Sequence, residues 1–92
     1  MFTVFAGKSY YTAVMCRVDS TDSARLRMLD RTNGTTIDES AATTQRAWTE
    51  LMFQWTAPTG CLRAGARFLS ATDAADVSYW DDYQVWADDG SL

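Results

Sequence analysis

The sequence predicts an antiparallel β-sandwich, and three observations carry the prediction. Apolar and polar residues alternate with a period of two through most of the chain. The alternating runs are filled by aromatic and β-branched residues, and turn signals separate them. No segment keeps a helical period convincingly. Six or seven short strands with regular turns are the pattern of a sandwich.

Taken in order, Ala6-Gly7-Lys8 reads as a turn into a first strand over 9–18, rich in β-formers. Residues 19–23 are a polar loop. The strand over 24–30 sets Leu26 and Met28 against Arg25 and Arg27. Asn33-Gly34 is the strongest hairpin signal, since both residues accept the positive φ of a type I′ turn, and 35–38 is the returning strand. Residues 39–45 connect as a loop. The strand over 47–56 places Leu51, Phe53 and Trp55 on one face and Glu50, Met52 and Gln54 on the other. Pro58-Thr59-Gly60 turns the chain into a strand over 62–70, where Gly65 invites a bulge or a close backbone approach. After a loop over 70–75 the last strand runs over 77–86. Its centre carries two adjacent carboxylates, Asp81 and Asp82, within an aromatic run. A bare carboxylate is costly to bury, so one of them calls for a partner or an ion.

Ninety-two residues make one domain, spanning 1–92, with a single thin core. There are no repeats and no low-complexity tract. The net charge of −4, with ten aspartates against one lysine and seven scattered arginines, argues against a nucleic-acid partner. No stretch approaches the apolar length of a membrane span, and the N-terminus has no signal-peptide pattern. Cys16 and Cys61 are too few for a zinc site, and there is no histidine to help them. They either pair, closing a loop worth ~4 kcal/mol, or serve as two small hydrophobes.

The order of motifs resembles a known family. A Gly7-Lys8 turn leads into Tyr11-Thr12; Trp48 precedes Trp55-Thr56-Ala57-Pro58 by seven residues; and Tyr79-Trp80-Asp81-Asp82-Tyr83-Gln84-Val85 closes the pattern. This is similar to the carbohydrate-binding modules of the galactose-binding-like jelly roll, found attached to xylanases and glucanases and in bacteriophage tail and capsid proteins. The resemblance covers nearly the whole chain and implies an antiparallel jelly-roll β-sandwich. Family members are longer and open with a strand pair carrying an early Trp. This sequence starts where that opening ends, so either the chain is a trimmed member or a neighbouring subunit supplies the missing strands. An exposed edge of that kind recruits another chain.

Catalysis is not expected. The absence of histidine excludes Ser-His and Cys-His nucleophile systems. Asp81 and Asp82 are adjacent, so they point to opposite faces and do not flank one bond. Parity along the last strand groups Asp81 with Tyr79, Tyr83 and Val85 on the core side. It groups Asp82 with Trp80, Gln84 and Trp86 on the outer side. The resemblance implies a structural calcium held by Asp81 with backbone carbonyls. The alternative is a carboxylate hydrogen-bonded to loop amides or paired with Arg17 or Arg63.

Trp80, Trp86, Asp82 and Gln84, with Glu50 and Gln54 from the neighbouring strand, offer aromatic planes and planar polar groups for a sugar. The same face would serve as a subunit interface. Arg25 and Arg27 read as a solvated face, or as groups that meet the aspartates of a second copy. Two functions follow as expectations: glycan recognition, or a structural role in a bacteriophage virion as a capsid decoration or tail component. Either implies an extracellular or virion-associated protein, and the second implies a homo-oligomer.

Overall fold

The computed structural model describes residues 2–19, 23–70 and 78–88. Among them lie seven strands and no helix: β1 (Phe2–Thr3), β2 (Ser9–Val18), β3 (Ala24–Asp30), β4 (Thr35–Glu39), β5 (Thr49–Thr56), β6 (Arg63–Ser70) and β7 (Ser78–Ala87). They form two antiparallel sheets with strand orders β1-β6-β3-β4 and β5-β2-β7. The sheets pack face to face, with β2 against β3, β4 against β5 and β6 against β7. The expected β-sandwich is therefore present. Strand β1 escaped the sequence because two residues are too short to show alternation. The loop expected over 70–75 lies almost wholly outside the described residues.

Alternation does what the pattern required. In β2, Tyr10, Thr12, Val14, Cys16 and Val18 are buried, and in β3 Ala24, Leu26, Met28 and Asp30 are. These side chains meet those of β5 and β6 in two apolar clusters. One gathers Val4, Tyr10, Met28, Trp55, Cys61 and Ala64; the other gathers Val14, Cys16, Val18, Leu26 and Leu51. Trp55 anchors the first. Its indole stacks on Tyr10 at 4.9 Å between centroids, and its Nε1 donates to Thr12 Oγ1 at 2.7 Å. That bond satisfies the one polar atom the indole takes into the core. The two cysteines fall in different clusters and are free, buried thiols, so they act as small hydrophobes. Burial pushes the Cys16 thiol up to about 11.

Two turn expectations need correction. The β3–β4 hairpin forms where Asn33-Gly34 predicts it, but not as a type I′ turn. Among the described non-glycine residues only Asp82 has positive φ, so Asn33 does not; Gly34 alone in this turn is left-handed, at φ 73°. Asp30 organises the loop instead. Its Oδ1 accepts from the Thr32 and Asn33 amides at 2.9 Å, and its Oδ2 accepts from Asn33 Nδ2 at 2.8 Å. These bonds, the one from the Asn33 side chain above all, hold the Asp30 carboxyl below its ordinary value. At Gly65 no bulge occurs: the β3–β6 register runs unbroken from Ala24 to Asp30.

The register shifts elsewhere: in β4, where Ile37 falls between the Met28–Asp38 and Leu29–Thr36 pairs, and in β7. Ala13 pairs with Gln84 and Met15 with Asp81, so Asp82 and Tyr83 together oppose the single residue Val14. This is a β-bulge. Asp82 takes the left-handed conformation there, φ 55°, which aspartate tolerates better than most residues. The bulge inverts the expected parity of Tyr79, Trp80 and Asp81 before it and leaves Gln84, Val85 and Trp86 after it on their expected faces. Asp81, expected on the core side, pairs with outward-facing Met15 and is exposed. Trp80, expected on the outer side, pairs with buried Cys16 and packs inward. Tyr83, also expected in the core, is 41% exposed at the rim, its ring edge-on to Phe68.

Candidate functional site

The bulge defines which side chains share the outer face of the β5-β2-β7 sheet. Cross-strand register sets them in rows. Tyr11 lies between Gln54 and Trp86; Ala13 lies between Met52 and Gln84; Met15 lies between Glu50 and Asp81. Beyond these, Arg17 pairs with Tyr79. The Arg17 guanidinium lies 4.0 Å from the Tyr79 centroid and 5.5 Å from that of Trp48. Aromatic groups therefore occupy both ends of the face. At one end Tyr11 and Trp86 stack at 5.6 Å with 20° between their planes. At the other, Trp48, Arg17 and Tyr79 cluster. Between these ends Gln84, Glu50 and Asp81 sit beside Ala13, Met15 and Met52.

Of the six side chains the sequence nominates for recognition, four come together here: Trp86, Gln84, Glu50 and Gln54. Asp82 sits in the bulge, where its Oδ1 accepts from Gln84 Nε2 at 3.0 Å and orients that amide. Trp80 does not belong to the face. It stacks on Phe68 at 4.8 Å, and its Nε1 donates to Ser78 Oγ at 2.8 Å. Asp81 joins the face in its place. Tyr11, Arg17, Trp48 and Tyr79 were not nominated. The signal for Tyr11 was its odd parity in β2, and for Trp48 its spacing of two residues from Glu50.

The chain matches no family model, no curated protein and no solved structure. Function must be read from the geometry.

Glu50 and Gln54 make no side-chain hydrogen bond to other described residues, so their polar atoms are open to a ligand. Tyr79 donates its hydroxyl to Asp19 Oδ2 at 3.0 Å, and that bond raises the phenol above its ordinary range. Arg17 Nη1 lies 3.8 Å from Asp19 Oδ1, so the cluster holds its own counter-charge.

Among the described residues no three acidic, histidine or cysteine side chains converge. A calcium ion at Asp81 would take the rest of its six to eight oxygens from backbone carbonyls and water. Asp81 Oδ1 accepts from the Asp82 amide at 2.8 Å.

Proposed function

We propose that the outer face of the three-stranded sheet recognises glycans, and that the chain is a non-catalytic, carbohydrate-binding-like module of jelly-roll type. The observation that carries this reading is the composition of one face. Aromatic planes from Tyr11, Trp86, Trp48 and Tyr79 flank Gln54, Gln84, Glu50 and Asp81. Sugar rings lay their C–H faces on aromatic planes while amides and carboxylates read their hydroxyls. Tyr11 and Arg17 are six residues apart on β2, roughly 20 Å in an extended strand. That separation suits an extended oligosaccharide better than a single ring. The carboxylates of the face are exposed, whereas a general acid for glycoside cleavage is desolvated to raise its pKa.

A glycan array followed by calorimetry on the best oligosaccharide tests the proposal. Trp86→Ala is expected to weaken binding by about tenfold or more, ~1.4 kcal/mol. Trp80→Ala is expected to leave affinity unchanged while lowering the melting temperature, because Trp80 faces inward. Equal loss of affinity in both variants, or no saccharide bound at all, would sink the reading.

A second reading, a virion assembly component, draws on a different observation. Met52 is 51% exposed and Trp48 47% on the same face, and β5 and β7 each pair with a neighbour on one side only. Apolar exposure beside open edges fits a subunit contact. A solution mass well above one chain, with no saccharide bound, would favour it.

A further inference from the structure

On the opposite side of the sandwich, five of the seven arginines lie on β3, on β6 or in the loop after β3: Arg25, Arg27, Arg31, Arg63 and Arg67. Three of them, Arg27, Arg31 and Arg67, line a pocket of about 290 Å³ together with Gly34 and Thr35. The register sets Arg27 directly opposite Arg67, although like charges facing each other across strands are destabilising.

The local carboxylates neutralise this charge only in part. Glu39 Oε2 is shared by Arg27 Nε at 2.9 Å and Arg25 Nε at 3.7 Å. Asp30 also lines the pocket, but it is 1% exposed and both its oxygens are engaged by the turn. Arg31 and Arg67 have no ion-pair partner among the described residues. A chain of net charge −4 thus keeps a concave site where guanidinium groups outnumber carboxylates, on the face away from the aromatic platform.

We infer that this pocket binds a tetrahedral oxyanion, a phosphate or sulfate group. Guanidinium forks match such oxygens bidentately, and the Thr35 hydroxyl at the rim is a further donor. The pocket is larger than an inorganic ion and near the lower end of small-molecule sites, so the group is carried on a ring-sized body such as a sugar ester. The anion would also relieve the Arg27–Arg67 repulsion.

The test is an NMR titration of the full chain with inorganic phosphate, inorganic sulfate, a hexose phosphate and a hexose sulfate at constant ionic strength, with chloride as control. Saturable shifts are expected at Arg27, Arg31, Gly34, Thr35 and Arg67, with the esters binding more tightly than the free ions. Arg67→Gln and Arg31→Gln are each expected to weaken binding by about tenfold or more. In chloride buffer Arg67→Gln is expected to raise the melting temperature, since it removes the opposed like charge. Shifts that fail to saturate, or that chloride reproduces, overturn the site. A lower melting temperature for Arg67→Gln overturns the claim that the pair is held at a cost. Trp86→Ala is expected to leave the titration unchanged, which separates failure here from failure of the glycan reading.

Discussion

The two outer faces of this sandwich are made from the same kind of strand and end up chemically opposed. On the β5-β2-β7 sheet the exposed positions are aromatic, amide, acidic and, at Met52, apolar, and the face's arginine, Arg17, is covered by Tyr79 and Trp48. On the β1-β6-β3-β4 sheet they are guanidinium-rich, with Arg27 and Arg67 opposed. The difference shows how little of a face is decided locally. On the first face a one-residue bulge selects which aromatics are displayed. On the second, register brings together arginines forty residues apart in sequence. Both depend on one shared core holding two sheets in fixed alignment.

The largest expected effect therefore comes from breaking that core, which erases the comparison altogether. Trp55→Ala removes a buried indole stacked on Tyr10 and orphans the Thr12 hydroxyl. A loss of about 3–5 kcal/mol is expected from chemical denaturation. Both faces would fail together. If binding at one face survived under conditions where the other was lost, the faces would not be sharing a core.

A smaller effect, confined to the aromatic face, is expected at Asp82. Valine tolerates the left-handed conformation poorly, so Asp82→Val is expected to cost about 1–2 kcal/mol. Deleting Asp82 instead leaves equal numbers of residues on β2 and β7 between the paired positions. The deletion variant is expected to fold with Trp80 still inward and Trp86 still outward, read from the quenching of each indole in single-Trp backgrounds. If the two indoles exchanged exposure, the bulge would not be what sets parity.

This residue also marks the limit of what the sequence reveals. The alternation of Leu51, Phe53 and Trp55 against Glu50, Met52 and Gln54 was legible because β5 is regular, and it placed Glu50, Met52 and Gln54 correctly on the outer face. Trp80 and Asp81 were misplaced because a bulge adds one residue without changing composition, and strict period-two counting then inverts everything beyond it. Adjacent aspartates are a weak pointer to it, since aspartate accepts αL. The arginine pocket left no trace in the sequence: Arg27 and Arg67 become neighbours only through the β3–β6 register. The hairpin at Asn33-Gly34 was legible in position but not in type, because the Asp30 carboxylate rather than the dipeptide fixes the backbone.

The arginine face has its own handle in acid. The Asn33 side-chain amide chiefly holds Asp30 below its ordinary value, and the hydrogen bond from Arg27 does the same for Glu39. A carboxyl depressed in the folded state takes up its proton first in the unfolded chain. Its stabilisation is thus present above the unfolded pKa and is lost as pH falls through the folded one. The melting temperature is expected to decline below about pH 4. Asp30→Asn is expected to lower it at neutral pH and flatten the acid limb. An unchanged acid limb would mean that carboxylates elsewhere govern it.

The smallest effect sharpens the contrast between an arginine that is covered and arginines that are open. Arg17 contributes through its plane as much as its charge: it lies over Tyr79 and near Trp48, and its ion pair with Asp19 is long at 3.8 Å. Lysine keeps the charge but gives up the planar stack. Arg17→Lys is therefore expected to cost about 0.5–1 kcal/mol in thermal or denaturant melts. Arg67→Lys, at an exposed position with no partner among the described residues, is expected to change stability by less than about 0.5 kcal/mol. Equal costs would mean that the stack contributes nothing. A cost at Arg17 alone, accompanied by weaker saccharide binding, would mean that this arginine helps to build the aromatic platform by holding Trp48 and Tyr79 in place, while the arginines opposite remain available to an anion.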